Sequence, residues 1–407
     1  MPQPIVSVVK VGKDVELAVR KAISLAGGLD KIVTSKSKVL VKPNVGLCER
    51  SGTGKITDAR VTQAVTQIVL EKRPQYVIIG EGSGVGYDFP DLQDTMKALE
   101  QSGTKEVAEK LGVPVVDLNT DHHRELEIPN PLVMKSVKVA QTVLDSDVII
   151  CIPVMKTHIR SAVTLSLKNM KGVMPGAEKK KTHRLGLEMA IVDLISIIKP
   201  HFAVVDGLMG MEGLWEYPED CVPLGLVGAG RDPVAVDSVF AQIMGVRPTD
   251  IMHPVYAQRK GLGVCDPEGI NIVGVPIPEV RRPFRPAFKI LRNRYPGLTI
   301  KAEKACTGCT GELVSTLIYI REVNQVESLR GLIIIIGEPP EQWEGEKTVV
   351  IGNCAQKLKE RHPFVPGCPP VIDAITEGVC EVCDIDVQLV FKKRDELHQI
   401  TYGKKLR

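Results

Sequence analysis

Long apolar runs are absent. The most continuous one, residues 332–336, is about a quarter of the roughly 20 residues that a bilayer-spanning helix requires. The opening MPQPIVSVVKVGK also lacks the apolar stretch of an export signal. No membrane partner is therefore expected, and the cytoplasm is the expected compartment. An excess of one charge is missing as well: 52 Lys and Arg face 49 Asp and Glu, a formal +3, which builds no long-range field for nucleic acid or an anionic membrane. Functional positive charge must then be local. Phosphate-binding fingerprints are absent too. The loop GEGSGVG (80–86) begins with glycines at alternate positions, but Asp88, Phe89 and Pro90 intervene before a helix, and no P-loop occurs. There is no internal repeat or low-complexity tract, and the 43% hydrophobic, 25% charged composition excludes a disordered, collagenous or coiled-coil chain.

What is present is too long, at 407 residues, for one ordinary core. Over residues 1–275 helical and strand patterns alternate. Asp14 can cap an amphipathic run to Leu25, residues 39–41 read as a buried strand, and Asp58 opens a helix to Lys72. Further strands are expected at 76–79, 113–116, 148–152 and 202–205, with helices at 91–111 and 184–199. Asp232 and Pro233 read as the cap and first residue of another helix, while Asp237 can face either solvent or the ligand crevice. This is the pattern of a mostly parallel, doubly wound α/β sheet. Residues 276–300 read as a basic, Pro-rich, solvated linker. Residues 301–407 form a second, smaller, cysteine-rich α/β domain, with a helix at 311–327, strands at 332–336 and 348–351, and a helix at 370–377.

Six of the ten cysteines crowd into that last segment. A C-x2-C step brings two sulfurs to one centre, and later cysteines at strand or helix ends can complete a four-thiolate set. Two cages compete. Cys306, Cys309, Cys354 and Cys368 would hold an iron–sulfur cluster; Cys306, Cys309, Cys380 and Cys383 would suit zinc, across a gap far longer than usual zinc spacing. The first is favoured because Cys354 follows a strand in a Gly-Asn turn and Cys368 precedes two prolines that can begin a helix. Cys380 and Cys383 are then a redox pair, with C-x2-C at a helix start lowering a thiol pKa, or alternative ligands. The order C-x2-C, G-x-C and G-C-P-P resembles the cluster pattern of the nickel–iron hydrogenase small subunit and its respiratory complex I relative. That resemblance implies a 4Fe-4S cluster.

In the large domain, cations fall at expected strand ends, where an open parallel sheet presents its crevice. Lys42 and Asn44 follow one strand; Lys156 and His158 follow another; Lys168, Asn169 and Lys171 come shortly after. Converging, they would suit a carboxylate or phosphate. His158 is the best general acid or base. Asp206 ends a further strand, and the charged run 178–181 reads as a solvated face or lid.

The ordered motifs VLVKPNVG (39–46), VIIGEGSG (77–84), SDVIICIPVMKTH (146–158), TLSLKNMKG (164–172), AVVDGLMGMEG (203–213), GAGRDPVAVDSV (228–239) and KGLGV (260–264) resemble the domain-of-unknown-function 362 family. The resemblance covers the large domain and implies that Lys42, Asn44, Glu81, Lys156, His158, Lys168, Asn169 and Asp206 form one site. Many relatives pair this domain with ferredoxin-like clusters, whose C-x2-C-x2-C-x3-C spacing the tail here does not have.

The resulting expectation is a cytoplasmic iron–sulfur oxidoreductase acting on a small anionic substrate. Lys156, Lys168 and Lys171 would neutralise it, Asn44 and Asn169 orient it, and His158 or Glu81 move a proton. Alternatives are a non-catalytic electron carrier or cluster-delivery factor serving a protein partner, and a non-redox lyase with an iron–sulfur Lewis acid.

Overall fold

Consecutive apolar residues without alternation mark strands buried on both faces. In the computed structural model of the protein, which describes residues 3–84, 94–214, 218–287, 294–302, 304–338, 345 and 347–402, such runs build the larger sheet. Its first strands are β1 (Ile5–Lys10), β2 (Lys38–Pro43), β3 (Tyr76–Glu81) and β4 (Val115–Asp117). A separate antiparallel ribbon, β5 (His123–Glu127) and β6 (Ser136–Ala140), follows. The sheet resumes with β7 (Val148–Ile152), β8 (Val154–His158), β9 (Ala162–Thr164), β10 (Phe202–Met211), β11 (Cys221–Gly230) and β12 (Asn271–Gly274). The order is β12–β1–β11–β10–β7–β2–β3–β4, with β8 leaving β10 to pair with β9.

Most pairings are parallel, as expected: β10 with β7, β7 with β2, β2 with β3 and β3 with β4. Successive residues of β2 point to opposite faces. Val39 and Val41 pack under helices α1 (Val15–Leu25) and α2 (Ala59–Glu71), while Leu40 packs under α3 (Leu187–Ile197). The same far face, beneath β10, carries α4 (Pro233–Ile243). Asp14, Asp58 and Asp232 cap their helices as read, accepting from Leu17, Arg60 and both Val234 and Ala235 amides.

One half of the sheet departs from expectation. β11 runs antiparallel to both β10 and β1, and β10 continues to Met211 rather than stopping at 205. Glycines hid β11. A Cβ on Gly228 would lie 2.2 Å from the Phe240 ring, and one on Gly230 would lie 2.6 Å from Val236. Here glycine lets α4 approach the sheet. The expected helix at 91–111 is two helices, Thr95–Gln101 and Thr104–Leu111, its start lying outside the described residues together with Val85, Gly86 and 88–90.

The linker is not simply solvated. Phe284 is buried against Gly210, and Arg285 bonds Glu212 at 2.7 Å and Asp220 at 2.6 Å. Its 288–293 portion lies outside the described residues. The tail forms a second, parallel sheet: β13 (Thr299–Lys301), β14 (Ile333–Ile336), β15 (Thr348–Ile351) and β16 (Phe364–Val365). Against it pack α5 (Thr307–Glu322) and α6 (Ile372–Cys383). α5 leans on the large domain, for a Cβ on Gly311 would lie 2.4 Å from the Arg160 carbonyl, and the Met252 amide donates to Thr307 Oγ1 at 3.1 Å. Among the described residues, no helix is long and apolar enough to cross a membrane.

Candidate active site: a cationic cavity at the strand ends

The chain leaves β2 on one side for β3 and β4 and returns on its other side for β7, so the carboxyl ends of these strands open at a switch point. A cavity of ≈ 120 Å³ lies there, lined by Asn44, Glu81, Lys156, His158, Lys168, Asn169 and Lys171 together with Gly82, Thr164 and Gly172. Lys42 lies fully buried and is bonded to two of these residues. Of the residues expected at one site, Lys42 and Asp206 are absent from the lining. The Asp206 carboxylate accepts from the Asp58 and Leu208 amides, at 2.7 and 3.0 Å. Burial raises its pKa to about 7 against the pull of those amides.

Lys42 Nζ donates to Glu81 Oε1 at 2.8 Å, Asn169 Oδ1 at 3.1 Å and the Pro43 carbonyl at 3.2 Å. Glu81 in turn accepts from the Gly82 and Val45 amides, at 2.8 and 2.9 Å. Its two oxygens are thus committed to anchoring Lys42 and the loops around it. Gly172 makes room for this pair, since a Cβ there would stand 2.0 Å from Glu81 Oε1. Asn44 Nδ2 donates to Asn169 Oδ1 at 2.8 Å.

Asn169 and Lys168 ride on a short helix, Ser166–Asn169. Asp237, which the sequence left between solvent and crevice, is fully buried and accepts from the Ser166 and Leu167 amides at 2.7 and 3.0 Å. It holds that helix by its first turn. Behind it the buried His253 donates to Glu188 at 2.5 Å.

His158 Nδ1 accepts from the Arg160 and Ser161 amides, at 3.1 and 3.2 Å, which leaves the ring proton on Nε2. Burial, then repulsion by Lys168, Lys171, Arg160 and Lys156, holds its pKa well below the ordinary histidine value. It is a neutral hydrogen-bond donor. Burial likewise pulls Lys156 down to about 7, with Lys168 and Lys42 adding repulsion, and Lys168 down to about 8 against the pull of Glu188. Taking a cation from water is costly, so a bound anion would restore what burial removes.

The run 178–181 is not a solvated face. It belongs to the helix Gly176–Leu185, and Lys179 and Lys180 are 1% and 3% exposed. Lys179 Nζ donates to the Gly82 and Ser83 carbonyls and to Asn119 Oδ1, at 2.5, 3.2 and 2.7 Å. From the same helix, His183 meets Lys171 Nζ at 2.9 Å and Arg160 Nη1 at 3.1 Å. Lys179, His183, Arg160 and Asn119 were all missed by sequence reasoning. Four consecutive charged residues read as surface, and the one available signal was a run of like charges that a solvated helix face rarely concentrates.

Cys354 and Cys368 stand within electrostatic reach of both Cys306 and Cys309. Cys306 is the N-cap of α5. Burial raises its pKa, the Gly308 and Cys309 amides oppose that rise, and Cys354 and Cys368 add to it. Burial also raises Cys309, which feels Cys306, Cys354 and Cys368 in that order. Glycine again clears the space, for a Cβ on Gly352 would stand 2.7 Å from Cys309 Sγ. Cys354 and Cys368 are exposed. Among the described residues no three ligating side chains stand close enough to hold a single metal ion. Thiolates at the corners of a four-iron cluster stand farther apart than the ligands of one ion.

Cys380 and Cys383 lie elsewhere. They end α6 rather than start it, so the helix dipole there disfavours a thiolate. Both are buried in the apolar core. Burial raises Cys380 to about 12, with Cys383 and Asp386 adding to it, and raises Cys383 against the pull of Lys347.

Fold and cavity together define an α/β protein with a lysine-lined crevice at the switch point of its large sheet. The family model described as "Domain of unknown function (DUF362)" matches residues 39–242, half of the chain, and the chain belongs to that family. It is similar to a thylakoid-associated protein of Synechocystis sp., with 25% identity over 305 residues, covering 70% of this chain and 91% of the relative. Among solved structures it is similar to the lactate racemase apoprotein of Thermoanaerobacterium thermosaccharolyticum, with 10% identity, a TM-score of 0.39, and coverage of 82% of this chain and 69% of that one. A Thermotoga maritima protein gives 12% identity, a TM-score of 0.34, and coverage of 83% and 74%.

Proposed function

We propose that the chain is a cytoplasmic iron–sulfur oxidoreductase. In this reading Cys306, Cys309, Cys354 and Cys368 hold a 4Fe-4S cluster, and a small anion binds in the cationic cavity. The observation that carries it is that Cys306 and Cys309 open α5 with Cys354 and Cys368 near enough to disfavour a thiolate at both. The donor set fits the group: thiolates are its usual ligands, and the amides at the start of α5 favour the negative charge they bring. Bound there, the cluster supplies electrons one at a time.

The chain's own residues do the rest. Lys156 and Lys168 neutralise the anion, Asn44 orients it, and His158 offers its Nε2 proton to the reacting group. Glu81 acts through Lys42 as a positioning residue. The segment from His158, on the cavity wall, to Arg160, against Gly311 of α5, joins the two units and supports exchange between them. The test is anaerobic purification with iron, sulfide and zinc quantitation and electron paramagnetic resonance of the reduced form. Iron and sulfide with a reduced-state signal are expected; their absence under strict anaerobic handling would end this reading, and zinc in their place would make the tail structural.

The exposure of Cys354 and Cys368 favours a second reading, an electron carrier or cluster-delivery factor whose protein partner docks on that face. Transfer of iron and sulfide to an apo-acceptor, with no turnover of any small anion, would select it.

A further inference from the structure

Hydrogen-bond valence separates the cavity lysines. An ammonium has three protons to give and nothing with which to accept. Lys42 spends its three on Pro43, Glu81 and Asn169, and Lys179 spends three on Gly82, Ser83 and Asn119. Lys171 is placed differently. Its Nζ stands 2.9 Å from His183 Nε2, and His183 Nδ1 stands 3.1 Å from Arg160 Nη1. A guanidinium only donates and keeps its protons, so Nδ1 is the acceptor and the ring proton sits on Nε2. That proton points at Lys171, which must accept it on a lone pair. Only a neutral amine has one. The neighbouring charges agree, for burial and then Lys168, Lys179 and Arg160 all disfavour an ammonium at Lys171.

We propose that Lys171 is a free amine at neutral pH, and that the cavity condenses it with a small anionic aldehyde or α-oxo acid to form an imine. This deepens the reading of the cavity as an anion site and rests on it. Lys171 and Lys168 both line the cavity, so a carboxylate paired with Lys168 can place its adjacent carbonyl within reach of Nζ. His158, on the same lining, carries its ring proton on Nε2 and can turn it toward that carbonyl. The amine lone pair adds to the carbonyl carbon, forming the C–N bond while the C=O π pair moves to oxygen, which takes a proton. The carbinolamine then loses its hydroxyl as water as nitrogen gives up its protons, and C=N replaces C=O. The sum is amine plus carbonyl giving imine plus water, with no oxidant or reductant. His183 keeps the amine unprotonated until the carbonyl arrives.

The test uses the full-length protein as isolated. It is incubated at pH 7 with glyoxylate and cyanoborohydride, which reduces any imine to a stable carboxymethyl-lysine, and modified sites are mapped by peptide mass spectrometry. Oxalate, a similar anion without an aldehyde, serves as competitor and, by thermal shift, as a separate probe of anion binding. Lys171 should be modified at least about tenfold faster than exposed lysines such as Lys10, because each unit of lowered pKa gives about tenfold more free amine, and excess oxalate should suppress it. An oxalate-dependent rise in melting temperature with Lys171 unmodified would overturn the imine and leave the anion site standing. Neither shift nor adduct would overturn both, while iron content, measured separately, reports only on the tail.

Discussion

At the cavity, Lys42, Glu81 and Asn169 are buried and hold one another in place, and the buried Lys179 ties Gly82 and Ser83 to Asn119. At the tail, Cys354 and Cys368 are exposed, and burial followed by the neighbouring sulfurs disfavours a thiolate at Cys309. One end is assembled by the protein alone, with the desolvation of its cations already incurred before a ligand arrives. The other offers donors whose like charges need a positive centre between them. On the proposed reading, preorganisation by the chain and completion by a cofactor are separated along a single polypeptide, and each predicts its own pattern of damage.

The sharpest way to break the contrast is at the sulfurs. Cys354→Ala should abolish the reduced-state resonance and most bound iron, whereas Cys380→Ala should retain both. The reverse pattern would transfer the cluster to the buried pair. Next in size is Glu81→Ala, which strands Lys42 as a buried charge whose side chain is 0% exposed. Breaking such a pair costs about 3–5 kcal/mol, and chemical denaturation should show that loss with the iron content of the folded fraction unchanged.

A smaller effect lies in pH. Lys156 and Lys168 titrate near 7 and 8 in the folded chain, below their ordinary lysine value. Between those values and about 10 the unfolded chain therefore binds more protons, and these lysines make the ligand-free protein more stable as pH rises through that window. Their contribution is lost as pH falls through 8 and 7. Anion binding runs the opposite way, because it needs the ammonium forms. The rise in melting temperature given by oxalate or phosphate should be larger at pH 6.5 than at pH 9, and an increment independent of pH would remove these lysines from the anion site. Smallest is Lys10→Ala. Lys10 pairs with Glu279 at 3.7 Å with both side chains more than half exposed, and its loss should change stability by roughly 0–1 kcal/mol, with iron content and oxalate response intact.

The parallel half of the fold was legible because β2, β3 and β7 are short unbroken apolar runs separated by capped helices. Reading strand ends then collected Lys42, Asn44, Lys156, His158, Lys168, Asn169 and Lys171. Asp206 misled because its strand continues to Met211, so the aspartate is not at an end. β11 was hidden by glycines whose purpose, close approach of α4, exists only in three dimensions. Lys179 and His183 were invisible for a related reason. Their burial depends on carbonyls of residues 82 and 83 and on Arg160, far away in the chain, and no local pattern encodes such partners. The helix-start reading of Cys380 and Cys383 failed through a boundary, as α6 begins at Ile372 and ends at Cys383.

The carbonyl of Arg160 occupies the place a side chain would take at Gly311, so the two units are keyed like a tenon in a mortise. A bulkier residue at position 311 would pry the tail away and carry the turn after His158 with it. Damage at a glycine that touches neither ligand would then be felt at both.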